Sequence, residues 1–283
     1  MKKILSLLFV MTFFVTNAFA TDVMIGTGGK DGFWHNDLFN TLQDAVKRSS
    51  GGEINLTKLP NGTDGTIANL KMVESGEIPM AIVQKCGTVL MESDVEELGV
   101  LMYEVAHLIS FEGSPVDEVD TLEETAAYTL GINKQSGSYV TWQMFQKVDK
   151  DYKRATVLDY TKATQALNGM KNGEYNAMFF VSAPGTKAIK RMIDAGVIFR
   201  DINDSDFNDY THNKKTLYNF VTMNKKMGYP NSFETVYVQD VLVVNPKWLE
   251  ANEDMYDVLF DACIETFNRI KTSKKFTYYP SDK

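Results

Sequence analysis

The sequence predicts an α/β protein of two similar lobes, with mostly parallel sheets, flanking helices and a central cleft. Three observations carry this reading. Short apolar runs alternate with segments of helical spacing, the pattern of a parallel sheet covered by helices. The alternation stops at a polar stretch, 112–125, and then restarts. Finally, L-K-M-V-E-S-G-E-I-P-M-A-I-V at 70–83 has an echo 97 residues later, L-N-G-M-K-N-G-E-Y-N-A-M-F-F at 167–180. Both read as a helix end, Gly-Glu, two spacer residues and an apolar strand.

The chain opens with Lys2 and Lys3, an apolar run at 4–15 and Ala18-Phe19-Ala20, which has the small-x-small form of a cleavage site. Residues 1–20 therefore read as a secretory signal peptide. Its apolar part is too short for a comfortable membrane span. Position 21 is Thr rather than Cys, which excludes lipid attachment at a new terminal cysteine. Without Lys2 and Lys3 the net charge is about −10. That balance argues against nucleic acid, whose binders carry a basic patch. Roughly 260 remaining residues suffice for one large domain or two lobes.

The first element after the signal is a strand at 23–25. It runs into V-M-I-G-T-G-G-K-D-G-F at 23–33, with four glycines at 26, 28, 29 and 32. A strand followed by a glycine-rich turn and a helix brings backbone N–H groups close to a ligand. Residues 34–48 have apolar side chains near helical spacing and end at Ser49-Ser50-Gly51-Gly52. A strand follows at 54–59, a glycine turn at 60–66, a helix at 67–74 and a strand at 80–83. A long extended run at 100–111 carries Tyr103, Glu104 and His107. After the polar stretch come strands at 128–132, 156–158, 175–181 and 197–199, with helices at 140–148, 161–170 and 184–195 between them. Residues 201–215 read as a solvated segment, because the glycine of a calcium loop is missing. A long strand at 234–245 precedes terminal helices that could return the chain to the first lobe.

The glycine stretch lacks the spacing of nucleotide sites. From Gly26 the sixth position of G-x-G-x-x-G is Asp31, and Gly29-Lys30 is followed by Asp31 rather than Ser or Thr. Neither G-x-S-x-G nor H-E-x-x-H occurs. His35, His107 and His212 have no spacing that suggests a triad, so satisfied or surface histidines are expected. Two cysteines and three scattered histidines make no structural zinc site. Whether Cys86 and Cys263 pair is left open, because sequence does not show how closely their Cα atoms approach. What remains is a set of strand-end turns at 28–32, 62–66, 84–88, 135–141 and 182–186. In open α/β sheets ligands bind outside the carboxyl ends of strands.

The ordered set I-G-T-G-G at 25–29, G-T-D-G-T-I-A-N-L at 62–70, S-G-E-I-P-M-A-I-V-Q at 75–84, Y-E-V-A-H-L-I at 103–109, Q-S-G-S-Y at 135–139, P-G-T at 184–186 and V-L-V-V-N-P at 241–246 resembles the TAXI-type solute receptors of tripartite ATP-independent periplasmic (TRAP) transporters. The resemblance spans nearly the whole chain after the signal. It implies a two-lobed type II periplasmic binding protein fold and a small carboxylate ligand, such as glutamate-like amino acids or 2-oxo acids. The sequence departs from the family pattern at Lys30-Asp31-Gly32-Phe33-Trp34-His35 and at Cys86, where the ligand should lie.

The resulting expectation is a non-catalytic periplasmic receptor with no cofactor and no metal. It would be a monomer that binds an anionic or zwitterionic solute and delivers it to TRAP membrane subunits. Lobe 1 would comprise 21–110 and 238–283, and lobe 2 would comprise 111–237, with hinges near 108–114 and 233–238. Backbone N–H groups at Gly28, Gly29, Gly65 and Thr66, with Thr63, Ser136, Gly137 and Ser138, would hold a carboxylate. Lys30 would add positive charge. Phe33, Trp34, Tyr139 and Pro184 would cover the apolar part, and Gln84, with Glu104, would read a polar or amino end. A receptor for an ATP-driven importer, an exported enzyme and a surface protein without a small ligand are the alternatives.

Overall fold

The computed structural model describes residues 20–124, 127–212 and 215–273; the signal peptide expected at 1–20 lies outside them except for its last residue. The strands are β1 (Thr21–Gly26), β2 (Ile54–Lys58), β3 (Met80–Gln84), β4 (Glu96–Ser110), β5 (Thr129–Ile132), β6 (Thr156–Asp159), β7 (Ala177–Ser182), β8 (Ile198–Arg200), β9 (Thr211–His212), β10 (Lys215–Thr216), β11 (Phe220–Met223) and β12 (Phe233–Val244). The helices are α1 (Phe39–Ser49), α2 (Thr66–Ser75), α3 (Lys85–Met91), α4 (Thr121–Glu124), α5 (Gly137–Val148), α6 (Ala163–Lys171), α7 (Lys187–Asp194), α8 (Asp206–Asp209), α9 (Pro246–Glu250) and α10 (Met255–Thr272). A π-helical turn, Trp34–Leu38, leads into α1. Among the described residues no helix is long and apolar enough to cross a membrane.

The main sheet runs β2-β1-β3-β12-β4-β7-β5-β6. Reading inward from either end, the order is outer strand, first strand, third strand. Strands β2-β1-β3 pair in parallel on one side, and β6-β5-β7 do so on the other. The repeat seen in the sequence therefore has a spatial counterpart. β3 and β7, which carry the echo, both lie next to the central antiparallel pair β4–β12.

β4 and β12 are shared by both halves. β12 pairs with β3 from Asp240 to Val244, and β4 pairs with β7 from Val105 to Ile109. In between, Tyr103 faces Gln239 and Glu104 faces Val238. Register shifts lie on the first-half side of this point, at Asp240/Val241 and Leu242/Val243, and such bulges increase local twist.

Strand periodicity sorts the core into clusters on opposite faces. In the first half, Met80 and Ile82 join Leu42, Val46, Leu259 and Ala262 on one face, while Ala81 and Val83 join Leu70 and Val73 on the other. In the second half, Ala177 and Phe179 meet Trp142 and Phe145, while Met178 meets Ile189 and Met192. α10 packs on α1 and β4, so the terminal helix does return to the first half.

Residues 85–91 correct the sequence reading of a turn at 84–88, since they form α3 directly after β3. The helix is short and carries Gly87 in its interior, which hides it from propensity. The glycine is needed there because a Cβ would lie 2.3 Å from Thr66 Cγ2. Cys86 and Cys263 are buried free thiols in different clusters.

Candidate functional site

The segments that follow β1, β2, β3, β5 and β7 meet at the junction of the two halves. Thr27 ties the first two together. Its carbonyl accepts from Thr63 Oγ1 at 2.5 Å and Asn69 Nδ2 at 2.6 Å, and its hydroxyl meets His35 Nδ1 at 2.9 Å. Gly29 bridges Gly62, and the Gly28 carbonyl accepts from Thr63 N at 3.1 Å. Gly62 has φ +70°, and its absent Cβ would sit 2.3 Å from the Gly28 oxygen. Only glycine permits both that backbone and that approach. Gly65 precedes α2 at φ +88°. Thr66 is buried, and its Oγ1 accepts from Gln84 N at 3.1 Å, which pins the start of α2 to the end of β3.

Gln84 joins the two halves. Its Oε1 accepts from Thr141 Oγ1 at 3.2 Å on α5, and its Nε2 donates to Glu104 Oε2 at 3.0 Å. Gly137, the first residue of α5, lies so close that a Cβ would be 2.6 Å from Gln84 Nε2. Ser138 Oγ accepts from Val181 N at 2.9 Å, fixing α5 to β7. Ser136 Oγ donates to the Asn133 carbonyl at 2.7 Å. Between the first turns of α2 and α5 lies a groove of about 440 Å³, lined by Thr66, Ser136 and Tyr139 together with Lys71 and Lys134.

Below Gln84 the floor is acidic. Asp240 pairs with Gln84 and with Met102 across the strands. Glu104 lies two residues from Met102, so strand alternation puts all these side chains on one face. Trp34 Nε1 donates to Asp240 Oδ2 at 2.9 Å. Asp240 Oδ1 is buried without a hydrogen-bond partner. Burial pushes the Glu104 carboxyl up to about 7, against the opposing effect of bonds from Gln84 and the Ala183 backbone. Burial and then the Glu104 charge hold Asp240 well above the usual carboxylate range, against the Trp34 bond. Two carboxyls in such a setting either retain a proton at neutral pH or take up a positive group.

Of the residues expected from sequence, Trp34, Thr66, Gln84, Gly137 and Ser138 are assembled around this junction. Gly28 and Pro184 are buried in the adjoining turns, Thr63 and Gly65 sit at the entrance to α2, and Phe33 packs against the first-half core. Gly29 and Lys30 are exposed. Sequence reasoning missed Asp240, Thr27, Asn69 and Thr141. For Asp240 a signal existed: it is a lone carboxylate inside V-Y-V-Q-D-V-L-V-V. Asn69 and the two threonines look like ordinary turn and helix residues until the fold brings them together.

The remaining reactive groups lie elsewhere or are quiet. His107 is buried on β4, with Nε2 2.8 Å from Tyr229 Oη and Nδ1 3.1 Å from the Phe180 carbonyl. Burial lowers it to about 4. Burial also raises the Cys86 thiol to about 11, so it is not a nucleophile at neutral pH. Asp120, Glu123 and Asp204 form one group of carboxylates close enough to hold a metal ion, and Asp149, Asp204 and Asp206 form a second. Tyr152 Oη donates to Asp204 at 2.8 Å, in the second half.

Two lobes of parallel strands joined by an antiparallel pair, with their turns facing one junction, define the type II periplasmic binding protein fold. The chain belongs to the NMT1-like family, which matches residues 25–279. No curated protein matches it significantly. Among solved structures it is similar to the arginine-, lysine-, histidine-binding protein ArtJ from Geobacillus stearothermophilus, with TM-score 0.55 and 14% identity over 91% of this chain and 94% of that one. It is also similar to the substrate-binding protein of an amino acid ABC transporter, with TM-score 0.54 and 11% identity over 91% and 96%. A third is the ancestral amino acid-binding protein AncCDT-1, a precursor of cyclohexadienyl dehydratase, with TM-score 0.52 and 9% identity over 90% and 92%.

Proposed function

We propose that this protein is a non-catalytic periplasmic solute receptor that closes around one small organic solute and hands it to a membrane permease. The observation that supports this most is that Gln84, at the end of β3, is met by Thr66 from the segment after β2 and, from the other half of the sheet, by Gly137 and Thr141 of α5. In this reading residues 21–110 with 238–283 form one lobe and 111–237 the other. The lobes move about β4 and β12, the two strands they share. The first turns of α2 and α5, with Lys71 and Lys134, hold the anionic end of the solute in the groove between them. Trp34 and Tyr139 cover its apolar part.

The TRAP permease is the partner favoured by the sequence motifs. An ATP-driven importer is the second reading, favoured by the similarity to the binding protein of an amino acid ABC transporter. Export through a cleaved signal at 1–20 would place the receptor in the periplasm. Mass spectrometry of whatever co-purifies, followed by calorimetry with that compound, tests the receptor reading. Ser136→Ala and Gly65→Val should each weaken binding at least tenfold, about 1.4 kcal/mol. Unchanged affinity in both would remove the groove from the site. Transport in vesicles holding either permease type, with and without ATP, separates the two partners.

A further inference from the structure

We propose that Glu104 and Asp240 form a seat for a cationic nitrogen of the solute, so that the receptor takes an amino or guanidino compound in preference to its uncharged or purely anionic counterpart. The inference rests on the receptor reading above and sharpens it from small carboxylates in general to those carrying a positive group.

The position of the pair is the first argument. The two carboxyls sit on the shared strands, between the buried clusters of the two halves and directly below Gln84. Their neighbours on that face are apolar: Met102 and Leu242 toward the first half, Ala106 and Val238 toward the second. Packing alone would put an aliphatic side chain at either place. A buried carboxylate without a partner costs several kcal/mol, so two on one face need a reason.

The bonding of the pair supplies the second argument. All the donors around it are neutral: Trp34 Nε1 on Asp240, and Gln84 Nε2 and the Ala183 backbone on Glu104. Among the described residues no ion pair reaches either carboxyl. Asp240 Oδ1 is completely buried and has no donor. That oxygen lies on the shared strands at the lobe junction, beside Gln84, and opening of the lobes about those strands would be needed to expose it to a ligand. An ammonium or guanidinium group provides several N–H donors and the positive charge together. It would leave both carboxyls ionised and every oxygen satisfied, which a neutral or anionic group cannot do. Burial raises the proton affinity of both groups, and a cation placed between them would lower it again.

The test is calorimetry and thermal shift on the full exported chain with matched probes: L-glutamate against 2-oxoglutarate, and L-arginine against its 2-oxo analogue. The expected result is that at least one amino member binds, and that its oxo partner binds at least tenfold more weakly. Glu104→Gln and Asp240→Asn should each reduce that binding at least tenfold and narrow the gap between amino and oxo members. Equal affinity for both members of a pair overturns the inference while leaving the receptor reading intact. So does unchanged binding in a variant with wild-type circular dichroism. If Asp240→Asn does not fold, Glu104→Gln and the matched probes on the wild-type chain still decide. No binding by any probe, with no co-purified solute, overturns the receptor reading and the inference with it.

Discussion

β4 carries two buried titratable groups displaced in opposite directions. Glu104 moves from an ordinary value near 4.5 up to about 7, and His107, three residues on, moves from 6.5 down to about 4. Burial is the main cause for both. Glu104 holds its proton more tightly in the folded chain. Its stabilising contribution is complete below pH 4.5 and is lost as pH rises through 7. His107 holds its proton less tightly when folded, so its contribution is present above pH 6.5 and is lost as pH falls through 4. At about 1.4 kcal/mol per pH unit, each change is worth about 3 kcal/mol. The windows overlap and the signs are opposite, so in the wild-type chain these two contributions nearly cancel. Glu104→Gln removes one of them. Its unfolding free energy should rise by about 3 kcal/mol relative to wild type between pH 4.5 and 6.5. Urea denaturation at several pH values, on both proteins, measures this. Asp240, which the Glu104 charge helps to raise, also titrates differently in the variant, whereas distant carboxyls such as Glu123, which burial and nearby Asp149 and Asp120 raise to about 7, are common to both chains and drop out of the difference. Parallel profiles for the two proteins would refute the assignment of a buried, protonated Glu104.

Other expectations follow from single contacts. Gly137→Ala places a Cβ 2.6 Å from Gln84 Nε2, and Gln84 is held at both ends by Glu104 and Thr141. It should cost about 1–3 kcal/mol in urea unfolding; a neutral result would mean that α5 does not close on Gln84. Asn69→Ala removes the buried donor shared by the Thr27 and Ile82 carbonyls at 2.6 and 2.8 Å, an expected loss of about 1–3 kcal/mol by the same measurement. Cys86 and Cys263 should react with a thiol reagent only after denaturation, and reductant should leave the melting temperature unchanged. Rapid labelling of the native chain would contradict their burial.

Most of the architecture was legible because it rests on local rules. Apolar period and turn residues marked β1, β2, β3, β5, β6, β7 and β12 to within a few positions. Gly76 marked the end of α2, where it adopts φ +75°. The echo at 70–83 and 167–180 anticipated the mirrored strand order, since repeated local patterns fold into repeated units. The lapses have physical causes too. α3 was hidden because its glycine serves packing against Thr66 rather than helix propensity. The π-helical turn at Trp34–Leu38 has no periodic signature of its own. The expectation of satisfied histidines fits His35, bonded to Thr27, and His107, bonded to Tyr229.

The candidate site divides along the same line. Sequence alone determined that glycine-rich turns follow the strands, because such turns need positive φ or close backbone approach and few residues allow either. It also determined the polarity of the groups in those turns. Only the tertiary structure decided which of them meet. Gln84 is far from Gly137 and Thr141 in the chain and becomes their neighbour only when the two halves of the sheet face each other. Asp240 shows the difference most clearly. In the sequence it is one acidic residue in an apolar strand. In the fold it lies beside Glu104 at the point where both shared strands pass between lobes, away from water and short of a donor. Long-range strand pairing creates that environment, and no local pattern encodes it.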